Sequence, residues 1–363
     1  MAFSRRAFFW TLASATFGLA EKSELVPSEI KRYKDAATEF DVYRLTDPAH
    51  ESRLPSYYGR VFPRNGNSLI YSSDRSGSVQ AYRLDLKNGQ SRTLTEAGGL
   101  AADSLALADE RNICYLDGRS LFLANLGTLR TREVYRIDET FEPGHGFSIT
   151  EDGLYAALIE QKPGSSRLRL IAMRTGVATT LAEASDPISD PLPRPKRSGM
   201  LYRRGNHELW LVNFDGAQNR KLRLAEGSLG PAVWSADGRT VLYLNFPATA
   251  KQLNNIRECT PDTNDDKFIS NTTQFVAFNR NGDSSVFIGA SGSKASPYVL
   301  LLVRSVKREL TLCEHRASDP RITAPMFSPN SQRIFFQSDR DGKLAIYAMT
   351  VDRLVEATEA DER

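Results

Sequence analysis

Imidazoles are scarce in this chain of 363 residues: His50, His145, His207 and His315 are the whole set. Imidazole is the side chain most often used as base or metal ligand near neutral pH, so these four positions bound what the chain can catalyse. His50 follows an early strand, beside Glu51 and Arg53. His145 lies in the turn Pro143-Gly144-His145-Gly146. His207 follows a turn at Gly205-Asn206, and His315 ends a strand after Cys313-Glu314. Turn and strand-end settings make each of them, on first reading, a surface or turn histidine. His50 and His145 are the candidates for a pocket, and His145 and His207 the candidates for a catalytic base.

Other groups suit binding better than catalysis. Arg53, Arg203 and Arg204 offer guanidinium groups to an anionic saccharide, and Tyr57 and Tyr58 offer faces on which a sugar ring can stack. The alternative for the tyrosines is packing on an inner strand. The cluster Arg194-Pro195-Lys196-Arg197 reads as a solvated loop or a second contact for an anion. Cys114, Cys259 and Cys313 are odd in number, far apart and without a CxxC pair, so no zinc or redox motif is present. Metalloprotease, P-loop, nucleophile-elbow and dinucleotide fingerprints are all missing.

The elements that must position these groups are short strands in a recurring hairpin unit. The clearest copy runs from Val61 through Asn65-Gly66 to Tyr71, then Ser73-Asp74-Arg75-Ser76-Gly77, then Ala81 to Leu86. The last copy repeats it with Met326-Phe327-Ser328-Pro329-Asn330, Ile334-Phe335-Phe336, Ser338-Asp339-Arg340-Asp341-Gly342 and Ala345-Ile346-Tyr347. A middle copy contains Val233-Trp234-Ser235-Ala236-Asp237-Gly238. Asn-Gly and Asp-Gly supply the positive φ of tight turns, and alternating runs supply half-buried strands. The aspartate of Ser-Asp-Arg-x-Gly is expected to cap its own turn, the alternative being a calcium or sugar site. A spacing of about 40 to 45 residues is that of propeller blades. The expected fold is all-β, a propeller of about seven four-stranded blades over residues 40–354. A strand near residues 42–46 is expected to complete the last blade and hide two sheet edges. Residues 186–197 and 249–267 read as loop insertions on one face.

The first twenty residues, MAFSRRAFFWTLASATFGLA, join Ser4-Arg5-Arg6-Ala7-Phe8-Phe9 to an apolar run too short for an ordinary transmembrane helix. They read as a twin-arginine signal over 1–20, followed by an entry segment over 21–39 and, after the propeller, an acidic tail over 355–363. The mature chain is expected in the periplasm or secreted, with no membrane span. A net charge of +3 with interspersed signs gives no basic stripe for nucleic acid.

In Pro27-Ser28-Glu29, Tyr33, Asp35, Thr38, Tyr43-Arg44-Leu45-Thr46, the turn Trp210-Leu211-Val212-Asn213-Phe214-Asp215-Gly216 with Arg220-Lys221, and the last blade, the chain resembles the oligogalacturonate lyases, with TolB-like and WD40-like repeats. The resemblance implies a seven-bladed propeller that cleaves oligogalacturonides in pectin breakdown by β-elimination. It also implies manganese held by three histidines and a glutamine, with a further histidine as base. The metal would neutralise the carboxylate and acidify the α proton. The chain departs at each matching place. It has Asp319-Pro320-Arg321-Ile322-Thr323-Ala324-Pro325 where two ligand histidines and the glutamine stand. It has Gln274-Phe275-Val276-Ala277-Phe278-Asn279 where the third stands, and Gly230-Pro231-Ala232-Val233-Trp234 where the base stands. His207-Glu208-Leu209 replaces a substrate arginine. No metal or other cofactor is therefore expected. Two functions stay open: a lyase-like enzyme with a degenerate metal and base site, or a non-catalytic TolB-like propeller that binds an anionic oligosaccharide or an envelope protein.

Overall fold

Strand-forming runs and turn signals resolve into seven antiparallel sheets in the computed structural model, which describes residues 24–205, 207–249 and 251–351. The twin-arginine segment and the acidic tail lie outside the described residues. Five sheets are simple four-stranded meanders, each inner strand followed by its neighbours in chain order. Blade 3, for example, runs Glu142–Ile149, Tyr155–Lys162, Ser165–Ala172 and Ala178–Ala184. One 3-10 turn, Pro320–Thr323, leads into the last blade.

Turn chemistry explains the regularity. In blade 5, Ser235 N–H donates to Thr240 O at 2.9 Å and the Ser235 hydroxyl reaches Asp237 at 2.7 Å. Gly238 sits at φ 67°, where a Cβ would come within 2.3 Å of Pro195 O, so only glycine fits. The aspartates of Ser-Asp-Arg-x-Gly have a longer reach than a self-capped turn. Asp74 Oδ1 accepts from Glu51 N at 2.8 Å, and Asp339 Oδ1 accepts from Ser318 N at 2.8 Å. Each carboxylate ties down the segment that enters its own blade.

Blades pack through buried aliphatic and aromatic faces. Leu69, Tyr71, Tyr82 and Leu84 of blade 1 share one cluster with Phe335 and Ile346 of blade 7. The ring closes as the early strand led one to expect: Asp41–Arg44 pairs with Ala345–Thr350, Tyr43 opposite Ala348. Two additions were not legible in sequence. Lys31–Lys34 adds a fifth strand outside Asp41–Arg44, and Leu25–Val26 pairs with Ser91–Thr93 at the rim of blade 1. The entry segment therefore straddles the seam between the last blade and the first. Glu29 holds the strap midway, 2.9 Å from the Arg75 guanidinium and accepting from Asp47 N at 3.0 Å.

The two expected loop insertions are strands. Ile188–Pro193 is the inner strand of blade 4, with Pro191 lying where the ladder to Gly199–Arg204 skips register and Pro193 opposite Met200 at the strand's end. Asn255–Thr260 and Asp265–Asn271 are the outer pair of blade 5. Proline is compatible with a strand at a bulge, which is why composition alone misled here. All three cysteines are buried and unpaired, Cys114 within a strand as its neighbours imply.

Candidate functional site at the channel mouth

Inner strands of the blades enter the central channel at one end and turn back at the other. Near their entry, five of them carry a register shift: between Leu100 and Leu105, Pro143 and Phe147, Ser189 and Leu192, Leu229 and Ala232, and Phe275 and Ala277. A bulge leaves residues outside the ladder and re-aims their side chains. Asp103, His145 and Asp190 all fall within such bulges.

These three meet. His145 Nδ1 lies 3.8 Å from Asp103 Oδ2, and its Nε2 lies 3.8 Å from Asp190 Oδ1. Both separations exceed a hydrogen bond and become ion pairs when the ring is protonated. The imidazole is 73% exposed, whereas the Asp190 side chain is 18% exposed. Asp190 is fixed from behind by Arg203, whose Nε sits 3.1 Å away. Arg203 also donates to Leu229 O at 3.2 Å and Gly230 O at 2.8 Å, tying blade 4 to the bulge of blade 5. Gly146, at φ 109°, permits the close approach: a Cβ there would meet Asp190 N at 2.8 Å and the Tyr58 hydroxyl at 3.1 Å.

Tyr57 and Tyr58 come from blade 1 and cross the channel, their rings 4.9 Å apart edge to face. The Tyr57 hydroxyl donates to Ala232 O at 3.1 Å, and its carbonyl accepts from Asn279 at 2.8 Å. Burial, and then the charge of Asp190, holds the Tyr58 phenol well above its ordinary pKa, so it stays a neutral hydroxyl. The tyrosines are a plug across the channel more than an open stacking platform.

Of the groups singled out in sequence, the structure thus unites His145, Arg203, Tyr57 and Tyr58. Arg53 is exposed and engages Glu51. Arg204 pairs with Asp186 at 3.1 Å and covers the Trp210 ring. His207 is exposed in the turn after Gly199–Arg204, one strand outward from the mouth. His50 lies 3.9 Å from Asp74, outside the group. His315 departs from the surface reading altogether: it is fully buried, with Nε2 3.0 Å from Ser291 O and Nδ1 accepting from Ala317 N. Arg194 departs likewise. Its guanidinium is buried, bidentate to Asp262 at 3.1 and 2.9 Å, and it lies in the turn just after Ile188–Pro193, at the end of that strand away from Arg203. Asp103 and Asp190 were missed in sequence. A signal existed: Asp103 and His145 each stand five residues before the first turn of their blades, at Ala108 and Thr150, and Asp190 stands four before Arg194.

The equivalent sector of blades 5 to 7 can be compared position by position. Ser235, Asn281 and Ser328 each open the first turn of a blade, with N–H bonds to Thr240, Val286 and Arg333. The residues four earlier are Pro231, Ala277 and Ala324. None has a side-chain donor atom. Ile322 has none either, and its carbonyl is engaged by Gln337 Nε2 at 2.6 Å. Asp319 is committed to Arg321, two contacts lying at 2.8 and 3.0 Å. Manganese asks for several oxygen or imidazole ligands, so this donor set does not fit it. Among the described residues, no three His, Cys, Asp or Glu groups are arranged to hold a metal ion.

Comparison with known proteins points one way. The family model described as oligogalacturonate lyase matches residues 20–152. An oligogalacturonide lyase of Pectobacterium atrosepticum is 25% identical, covering 91% of this chain and 98% of that protein. A solved oligogalacturonate lyase in complex with manganese superposes with a TM-score of 0.84 at 25% identity, over 91% of this chain and 98% of its own. The oligogalacturonate lyase of Vibrio parahaemolyticus gives 0.85 at 25% identity, over 92% of this chain and 100% of its own.

Proposed function

We propose, from the premise that this chain belongs to the oligogalacturonate lyase family, that it is an exported saccharide-binding propeller in which that family's manganese-dependent elimination has been lost. One observation carries the reading. The mouth presents Pro231, Ile322, Ala324 and the pair Gln274-Phe275, with at most one neutral amide oxygen among them, where the resemblance calls for imidazoles, and its remaining imidazole, His145, stands on blade 3 between two carboxylates. No resident metal or other cofactor is expected. The saccharide expected by kinship is an oligogalacturonate, and its contacts are His145, Arg203 and the Tyr58 hydroxyl at the mouth.

Any elimination by this chain runs through His145. The imidazole would take the proton α to a uronate carboxylate, the freed pair would form the double bond, and the C–O bond to the leaving sugar would break, its oxygen taking a proton from water. Asp190, fixed by Arg203, would orient the ring and stabilise the imidazolium. The carboxylate of the substrate would find no free cation beside it, so turnover is expected to be slow and insensitive to chelator. The test is incubation of the mature protein with oligogalacturonate, with and without manganese, following ultraviolet absorbance of the unsaturated product. Calorimetric titration of the same oligosaccharide runs alongside. Saccharide binding without chelator-sensitive turnover supports the reading. Chelator-sensitive turnover at an ordinary enzymatic rate, about 1 to 1,000 per second, or tight stoichiometric manganese binding, overturns it.

A second reading, an uncharged saccharide or an envelope protein as ligand, is favoured by the half-exposed Asp103 carboxylate at the mouth. A neutral galactan that binds more tightly than oligogalacturonate would select it.

A further inference from the structure

The far end of the channel carries a separate feature. Below the Tyr57–Tyr58 plug lies a cavity of about 550 Å³, walled by the first turns of the blades and by Trp234, Phe62 and Phe327. Its charged lining is Arg60, Arg64, Arg194 and Arg280 against a single carboxylate, Glu151. Three of these arginines are accounted for. Arg60 and Arg64 share Glu110, and Arg194 holds Asp262.

Arg280 is different. It ends the inner strand of blade 6 and is largely removed from water, yet among the described residues no carboxylate lies within ion-pair distance of it. Its Nε donates to Trp234 O, and its Nη1 to Asn281 O at 2.8 Å and Gly282 O at 3.0 Å. Those carbonyls satisfy hydrogen bonds without neutralising charge. Nη2 makes no hydrogen bond to the protein. Arginine is seldom buried without a counter-charge, because desolvating an uncompensated ion is costly. Burial lowers the basicity of this guanidinium, which Asp237, Asp283 and Glu151 offset only from longer range.

We propose that this cavity is a second binding site, for a small carboxylate whose oxygens meet Arg280 and whose ring lies against the aromatic wall. A guanidinium with a free N–H edge recognises a carboxylate, and a flat aromatic lining favours the face of a ring. The site is reached from the end opposite His145 and borders the mouth at the Tyr57–Tyr58 plug. Its volume suits a monomeric or dimeric acid.

The test uses the mature chain, with D-galacturonate as probe, D-galactose as its uncharged counterpart and inorganic phosphate as a ringless oxyanion. Thermal unfolding and Trp fluorescence quenching are read in a Trp210→Phe background, which leaves Trp234 as reporter. Galacturonate is expected to raise the midpoint and quench Trp234, with galactose without effect. Arg280→Met should weaken binding about tenfold to a hundredfold, the value of hydrogen bonds to a charged group. Should that variant fail to fold, Ala236→Phe serves: Ala236 is exposed on the cavity wall, and the larger ring fills the entrance. Phosphate acting as strongly as galacturonate overturns the ring-bearing class. Equal effects of galacturonate and galactose, no effect of either acid, or a response that survives Ala236→Phe overturns the site.

Discussion

At the scale of single residues, His145 and His315 share a residue type and have opposite fates. His145 projects from a bulge between Asp103 and Asp190, whereas His315 is sealed behind the strand that precedes blade 7. If His145 is the base, His145→Gln abolishes whatever unsaturated product wild type forms and leaves the unfolding midpoint unchanged, since the ring is mostly exposed. Asp190→Asn is expected to lower turnover with little change in KM, as befits a positioning residue. Asp103→Asn is expected to tighten oligogalacturonate severalfold at low salt and much less at high salt, because it removes a like charge at a screened surface. His315 makes a prediction about pH. Burial is the main reason that its pKa lies below the ordinary 6.5. The unfolded chain therefore binds a proton that the folded one resists, and stability rises with pH across that interval. This contribution is fully present above about pH 6.5 and is lost as pH falls toward the depressed folded value. Unfolding midpoints measured from pH 7.5 to 5 should fall, and His315→Gln should flatten that limb.

At the scale of elements, the inner-strand bulges decide what the mouth can offer. A regular ladder would alternate side chains between the two faces of a blade; a bulge instead turns a residue into the channel. Gly146 is the critical joint, because blade 3 touches Asp190 of blade 4 there. Gly146→Ala is strained both by its positive φ and by contact, so it should cost about 1–3 kcal/mol in unfolding free energy and displace His145 from Asp190. Denaturant unfolding with a saccharide-binding assay checks both halves; an unchanged midpoint with unchanged binding contradicts this account of the bulge. The Asp74 and Asp339 turns show the same economy of placement. Their carboxylates hold the chain arriving at blades 1 and 7.

At the scale of the molecule, closure is the main requirement, since an open ring would leave two sheet edges unpaired. Residues 25–44 meet that requirement twice, once as the fourth and fifth strands of blade 7 and once as the rim of blade 1. Deleting residues 24–34 is expected to leave the ring closed by Asp41–Arg44 but to loosen the seam. Hydrogen exchange should then rise in Ser91–Thr93 and around Arg75 while blades 3 to 5 stay protected. The proposed export belongs to this scale as well: a chain that folds before crossing a membrane would suit the twin-arginine route. Replacing Arg5 and Arg6 by lysine should strand the precursor inside the cell; unchanged periplasmic yield contradicts that route.

Local rules were enough for the sequence to determine most of the blade strands, the Asn-Gly and Asp-Gly turns, the blade repeat and the closing strand at Asp41–Arg44. Each depends on neighbours within a few residues or on a repeat that can be counted. The absence of side-chain donor atoms at Ile322 and Ala324 was also plain, because an absent group needs no fold to be absent. Tertiary structure alone decided the rest. Proline-bearing residues 188–193 became an inner strand because a bulge tolerates proline, and Arg194 was drawn into the protein by Asp262, far away in sequence. His145 acquired Asp103 and Asp190 only when three separate blades converged on one axis. Arg280 was left without a counter-charge for the same reason: whether a charge is paired depends on what the other blades bring to it, and no local pattern encodes that.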